Sequence, residues 1–166
     1  MSLLLGFAGI SFLAVLQSSL VNHLRLLDGR PDLVLLAITG WALAGHGRQA
    51  MLFGFVGGFA LDLFSEVPLG VSSAALVLVA AMVSYSEGRF WGVHPLMQLA
   101  AVLTASAVFY LAQLVSLGIG GHPFDLLLVL NRTVLPSLFL NLVFALPAAQ
   151  TAEALSRFFT PSEVTA

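Results

Sequence analysis

The chain has 166 residues, of which 59% are hydrophobic and only 8% charged, and its formal net charge is −2. Soluble domains carry about 25% charged residues, so this composition is typical of a protein whose surface faces lipid. The negative balance and the absence of lysine exclude a basic nucleic-acid-binding surface. Cysteine is also absent, which excludes disulfides, thiolate nucleophiles and cysteine-bound metals.

Four long segments contain no Asp, Glu, Lys or Arg: residues 1–24, 67–86, 90–124 and 133–152. Since an α-helix needs ~20 apolar residues to cross the hydrocarbon core, these segments predict an all-α polytopic membrane protein. We predict a single six-helix transmembrane domain over residues 1–159 and a short disordered tail over residues 160–166. The first segment lacks a basic start and a cleavage pattern, so it is interpreted as an uncleaved first span.

Turn residues divide the chain into six predicted helices. Pro31 is expected to start the second helix, with Asp32 in its first turn. Residues 33–65 are compatible with one long tilted span, but Gly45 and Gly47 favour two short helices, which must lie largely within the protein or thin the bilayer. The predicted helices cover about Leu3–Val21, Pro31–Ala44, Gln49–Phe64, Gly70–Ser86, Pro95–Leu117, and a last helix from about Asp125 that frays near Arg157 and is kinked by Pro136 and Pro147.

Charge does not determine the orientation. With the N-terminus inside, the inner loops and the outer loops would hold the same number of arginines, so the positive-inside rule gives a tie. Those residues are Arg48, Arg89 and Arg157 on the inner side, and Arg25, Arg30 and Arg132 on the outer side.

Asp62 is the most informative polar residue, because an ionisable group in a transmembrane helix is costly. Three interpretations are open: it caps or pairs at the interface, it orients a partner, or it couples to a proton or ion. Gly54 and Gly58 form a Gly-x-x-x-Gly pattern, which lets two helices approach closely, either within the chain or with another protein. Pro68 and Gly70 predict a sharp turn after this helix.

The sequence offers little material for catalysis. The segment Gly70–Ala74 fails the Gly-x-Ser-x-Gly pattern, and no predicted span carries a carboxylate pair at helical spacing. The four histidines lie apart at predicted helix edges, so no metal site or cofactor is expected. Trp41, Tyr85, Trp91 and Tyr110 mostly fall near span ends, where aromatic belts lie.

Several motifs follow one another in chain order. Pro31-Asp32-Leu33 opens the second predicted helix. Gly54 precedes Gly58-Phe59-Ala60-Leu61-Asp62-Leu63, and Pro68-Leu69-Gly70 follows, before a predicted helix rich in small residues. In this order the motifs resemble those of MreD, a family of multi-pass bacterial rod-shape-determining membrane proteins. The resemblance covers most of the chain, although only residues 31–75 carry motif-like detail.

The resemblance implies six spans in the bacterial inner membrane, with both termini cytoplasmic and a fold similar to the substrate-binding subunits of energy-coupling-factor transporters. It implies no enzymatic activity. The implied partner is MreC, a single-span protein, within an elongation machinery that includes MreB, RodA and a class B penicillin-binding protein. On this basis Pro31, Asp32, Asp62, Pro68 and Gly70 match recurring family positions that shape the corner between helices three and four.

Two functions from different classes are therefore compared. The first is a non-catalytic scaffold that accepts a partner's transmembrane helix. The second is a substrate-capture subunit of a vitamin or metal transporter, which would need several convergent polar groups in a cavity. The candidates for such groups are Gln17, Ser18, Asn22, Gln98, Gln113 and Asn141. An intramembrane enzyme is disfavoured, since no nucleophile–base constellation is visible.

Overall fold

A computed structural model describes residues 2–21, 29–65, 67–86, 95–120 and 125–159. Within these ranges the chain forms six helical segments and no strand, which confirms the all-α prediction; the tail predicted over residues 160–166 lies outside them. The helices are α1 (Ser2–Val21), α2 (Leu33–Leu43), α3 (Gly47–Leu63), α4 (Val71–Ser86), α5 (Pro95–Ile119), and a last segment in which α6 (Leu126–Val129), a π-helical turn (Leu130–Val134) and α7 (Leu135–Phe159) follow one another directly.

The helix at the centre of the bundle is α2, which is shorter than each of the five helices around it. α2 packs against α1, α3, α4, α5 and α7. It has 11 residues, so at 1.5 Å per residue it is about 16 Å long, roughly half the thickness of the hydrocarbon core. Seven of its residues are buried, so α2 is surrounded by protein: Val34, Leu35, Leu36, Ile38, Thr39, Gly40 and Ala42.

The structure confirms the prediction that residues 33–65 form two short helices and not one long span. α2 ends before a turn in which Gly45 has a φ of 92°, a left-handed conformation that glycine adopts without strain. The N-terminal boundary differs from the prediction, however, because α2 begins at Leu33 and not at Pro31. Asp32 is the residue before the helix, and its side chain does not cap the helix. The reason is that this carboxylate has other partners, described below.

α3 and α4 form the closest helix pair, and glycines on α3 make the approach possible. A Cβ atom added to Gly58 would lie 2.4 Å from the Ser73 Cα, and one added to Gly54 would lie 3.1 Å from the Leu76 carbonyl carbon. Both glycines are buried. The Gly-x-x-x-Gly side of α3 therefore faces α4 of the same chain.

The last helical segment contains both prolines that are predicted to kink it, and the helix changes its hydrogen bonding near one of them. The π-helical turn ends two residues before Pro136, and the Leu135 N–H donates to the Leu130 carbonyl. Since Pro136 has no N–H, the carbonyl four residues before it lacks its usual donor, and a wider turn is one way for a helix to accommodate this. Pro147 lies inside α7 without ending it.

The outer surface of the bundle is apolar. Two helical segments are long and apolar enough to cross a membrane by length and composition: Pro95–Ile119 and Leu126–Arg157. Three other apolar helices are shorter, at Leu3–Ser19, Leu33–Leu43 and Val71–Tyr85. Large exposed apolar side chains lie on every outer helix, and they include Leu4, Phe12, Phe55, Leu78, Leu111 and Phe139.

Gly58→Leu is expected to destabilise the protein itself, by about 1–3 kcal/mol or enough to prevent accumulation, because the new side chain meets the α4 backbone. Thermal unfolding in detergent and the yield of membrane-inserted protein measure the effect. Gly118→Leu is the matched control, since a Cβ atom there meets nothing within 4 Å. Normal stability of the Gly58 variant would contradict the close α3–α4 contact.

Candidate functional site

A cluster of polar side chains lies inside the bundle around Asp32. The carboxylate accepts hydrogen bonds from the Gln17 Nε2 at 3.2 Å, from the Asn141 Nδ2 at 3.4 Å and from the Tyr110 hydroxyl. Asn141 also donates to the Ser106 Oγ at 3.0 Å. Gln17, Asp32, Ser106 and Asn141 are all buried. We call these five residues the Asp32 cluster; it joins α1, α5 and α7 to the start of α2.

The same side chains also satisfy the backbone of the non-helical segment that precedes α2. The Asp32 N–H donates to the Asn141 Oδ1 at 2.8 Å, and the Val34 N–H donates to the Gln17 Oε1 at 3.0 Å. The Arg30 N–H donates to the Ser137 Oγ at 2.9 Å. In hydrocarbon no water is available, so non-helical backbone there is tolerated only where protein supplies the hydrogen-bond partners. Side chains of α1 and α7 supply them here.

Gln17 and Asn141 each bind this segment at two points. Each amide donates through its nitrogen to the Asp32 carboxylate and accepts through its oxygen from a backbone N–H at the start of α2. An amide can do this because it carries a donor and an acceptor on one plane. The cluster thus holds α2 by paired contacts, and its polar atoms are occupied by one another.

A second polar site lies at the corner between α3 and α4. Asp62 is 2% exposed, and its carboxylate accepts from the Gly70 N–H at 2.9 Å, the Ser72 N–H at 3.0 Å and the Ser73 N–H at 3.4 Å. The N–H groups in the first turn of a helix have no acceptor within that helix. Here the carboxylate of a residue on the preceding helix is their acceptor. Gly70 adopts a φ of 98° in the turn between the helices.

The predicted site residues therefore separate into two groups. Pro31 and Asp32 belong to the segment that α1, α5 and α7 hold, whereas Gly54, Gly58, Asp62, Pro68 and Gly70 lie at or near the α3–α4 pair and its turn. Asp62 contacts backbone of its own chain, which is the geometry of a cap.

Sequence reasoning did not identify the Asp32 cluster. The sequence shows Gln17 and Asn141 as polar residues in neutral segments, but nothing in it indicates that they face the same carboxylate. The position of Tyr110 near a span end predicts an interfacial belt; the structure instead places its hydroxyl against Asp32. Trp91, and the histidines at positions 23, 94 and 122, lie outside the described residues. Among the described residues, no group of three His, Asp or Glu side chains could hold a metal ion.

These features define a class: an all-helical protein with an apolar exterior, whose buried polar side chains bind its own backbone and one another. The model of the family described as rod shape-determining protein MreD matches residues 1–158, and the chain belongs to this family of membrane proteins. No curated protein matches the chain. No solved structure matches it either, so the expected likeness to energy-coupling-factor subunits stays a prediction.

Tyr110→Phe is expected to lower the free energy of unfolding by about 1–3 kcal/mol, because the buried Asp32 carboxylate loses a donor that water cannot replace. Tyr85→Phe is the control, with an expected change within about 0.5 kcal/mol, since Tyr85 is 87% exposed. Thermal or denaturant unfolding in detergent compares the two. Equal stability of the two variants would show that the Tyr110 hydroxyl does not support the cluster.

Asp62→Ala is expected to cost about 0.5–2 kcal/mol, because it leaves the first N–H groups of α4 without an acceptor. Asp62→Asn keeps one acceptor oxygen, so its stability should lie between those of the wild type and the alanine variant. Unfolding of the three proteins under one condition gives the order. An alanine variant as stable as the wild type would refute the capping role.

Proposed function

We propose that this protein is a non-catalytic scaffold in the membrane machinery for cell elongation and peptidoglycan synthesis, and that it pairs with the single-span protein MreC. The observation that carries the proposal is the family match over residues 1–158, together with the occupation of the buried polar groups by the protein itself. A scaffold needs a defined shape and an outer surface, and it needs no reactive group.

The polar interior supports a structural role. The Asp32 cluster and the Asp62 corner use their donors and acceptors on helix ends and on non-helical backbone. Of the buried side-chain polar atoms that the structure describes, only the Thr39 Oγ1 lacks a partner. We infer that Pro31, Asp32 and Asp62 set the positions of α2 and α4, and that they affect partner binding only through the shape of the bundle.

The apolar exterior supports association with other transmembrane helices. In lipid, such contacts are held by packing and by hydrogen bonds between helices, since lipid tails are as apolar as leucine. Exposed aromatic and aliphatic side chains on α1, α3, α4, α5 and α7 supply a surface on which a single span can pack. Exposed ionisable side chains are few among the described residues: they are Arg48, Asp125, Arg132, Glu153 and Arg157, and the last two form an ion pair.

The full arrangement that we propose has six spans in the bacterial inner membrane and both termini in the cytoplasm. The six helical segments among the described residues support this number, and two of them are long and apolar enough to cross a membrane by length and composition. RodA, a class B penicillin-binding protein and MreB are the further partners proposed on the basis of the family.

The transporter alternative is less well supported by the geometry. A substrate-capture subunit needs convergent polar groups that line a cavity. Gln17 and Asn141 do converge, but on Asp32, and neither lines the cavity described below.

A cysteine cross-linking scan tests the pairing directly, because the chain has no cysteine and each introduced thiol is unique. Single substitutions to cysteine on five exposed helix faces are combined with cysteines along the MreC transmembrane helix in native membranes. We expect cross-links from one face only, and to cysteines that are spaced by three or four residues along the MreC helix. The five positions are Phe12, Phe55, Leu78, Leu111 and Phe139.

Cysteine at the buried position Ala80 is the negative control, since it is not exposed to a partner. Cross-links from no face, together with normal cell shape after depletion of the protein, would refute the scaffold. Retention of a small molecule through purification, with normal shape after depletion, would instead favour the transporter.

A further inference from the structure

We infer that a cavity between α1, α2, α3 and α7 binds one acyl chain of an anionic membrane phospholipid. The cavity has a volume of ≈ 270 Å³. Apolar cavities of ~150 Å³ already bind small hydrocarbons, so this space is large enough for a hydrocarbon segment.

The lining is almost wholly apolar. Buried Ile10, Ile38 and Phe53 form its floor, while the exposed residues Leu5, Gly9 and Leu155 lie at its mouth. The polar side chains among its lining residues are Trp41 and Gln49, and the Trp41 Nε1 donates to the Gln49 Oε1 at 3.1 Å. A ligand with several polar groups would find few partners here, whereas a hydrocarbon chain has no hydrogen bonds to lose on entering.

A glycine on α1 lies in the lining of the cavity. It is Gly9, and a Cβ atom added to it would have no neighbour within 4 Å, so a side chain placed there has room to extend. An unfilled apolar space of this size forfeits van der Waals contacts along its whole lining. In a bilayer the surrounding medium is itself made of acyl chains, which are the nearest molecules able to restore those contacts.

The location also fits a lipid whose headgroup is anionic. The lining joins the first part of α1, the end of α2, the start of α3 and the end of α7, so the cavity lies at one end of the bundle. Arg48 immediately precedes the lining residue Gln49 and is exposed. It forms no ion pair with the described residues, whereas Arg157 at the same end is paired with Glu153 at 2.7 Å. Arg48 is therefore the available cation for a lipid phosphate.

The test uses the full-length protein in vesicles of phosphatidylcholine that contain phosphatidylglycerol with a photoreactive diazirine in one acyl chain. Mass spectrometry then maps the labelled residues after irradiation. We expect label on the floor residues Ile38 and Phe53, which the bilayer does not reach unless a chain enters the cavity. Excess unlabelled phosphatidylglycerol should compete this label away.

Gly9→Leu fills the cavity and is expected to reduce floor labelling several-fold, with label on the exposed outer faces unchanged. Gly118→Leu is the matched control, because its surroundings are equally open and it lies on α5, away from the cavity. Arg48→Gln is expected to remove the preference for phosphatidylglycerol over phosphatidylcholine that carries the same photoreactive chain.

Floor labelling absent from the wild type would overturn the proposal, and a side chain of a partner helix would then be the better occupant. Equal floor labelling in the Gly9 and Gly118 variants would also overturn it. Equal floor labelling by the two headgroups in the wild type would overturn the anionic part. Should Gly9→Leu lower stability, competition by unlabelled phosphatidylglycerol in the wild type decides the question.

Discussion

The structure depends on one constraint: backbone polar groups at membrane depth must find partners within the protein. Most of the chain meets it by forming helices. The segment that leads into α2 does not, and side chains of α1 and α7 complete its hydrogen bonding through Gln17, Ser137 and Asn141. Asp32 fixes those amides in turn, since both donate to its carboxylate. A short central helix is possible only because this arrangement exists.

The same constraint explains how the bundle gains a defined shape. In lipid, helices are not driven together by the hydrophobic effect, so close packing and internal hydrogen bonds determine which helices meet. Gly58 lets α3 approach the α4 backbone, and Asp62 closes the corner that joins them. The Asp32 cluster performs the corresponding task for α1, α2, α5 and α7. Two carboxylates thus serve two different helix starts.

This division between interior and exterior has a functional consequence. The buried polar groups are used for the architecture, and the exposed surface carries many large apolar side chains that can meet lipid or another span. Membership of the MreD family implies a role in rod-shape determination, and we propose that this apolar surface carries it. The cavity lined by Gly9 is an apolar space between α1, α2, α3 and α7, and it is where we propose that an acyl chain binds.

The sequence by itself determined that the surroundings are lipid, that the fold is helical, how many helical segments form and that a break lies at Gly45. It could do so because the length of an uncharged segment and the presence of turn residues are local properties of the chain. It also indicated the importance of Asp62, because this carboxylate lies in an apolar helix and the turn residues Pro68 and Gly70 follow within a few residues. The tertiary structure alone decided the role of Asp32. Its partners at positions 17, 110 and 141 lie up to 109 residues away, and only the packing of four helices brings them together. The same long-range packing creates the cavity, because an empty space is a property of the helices around it and of no single segment.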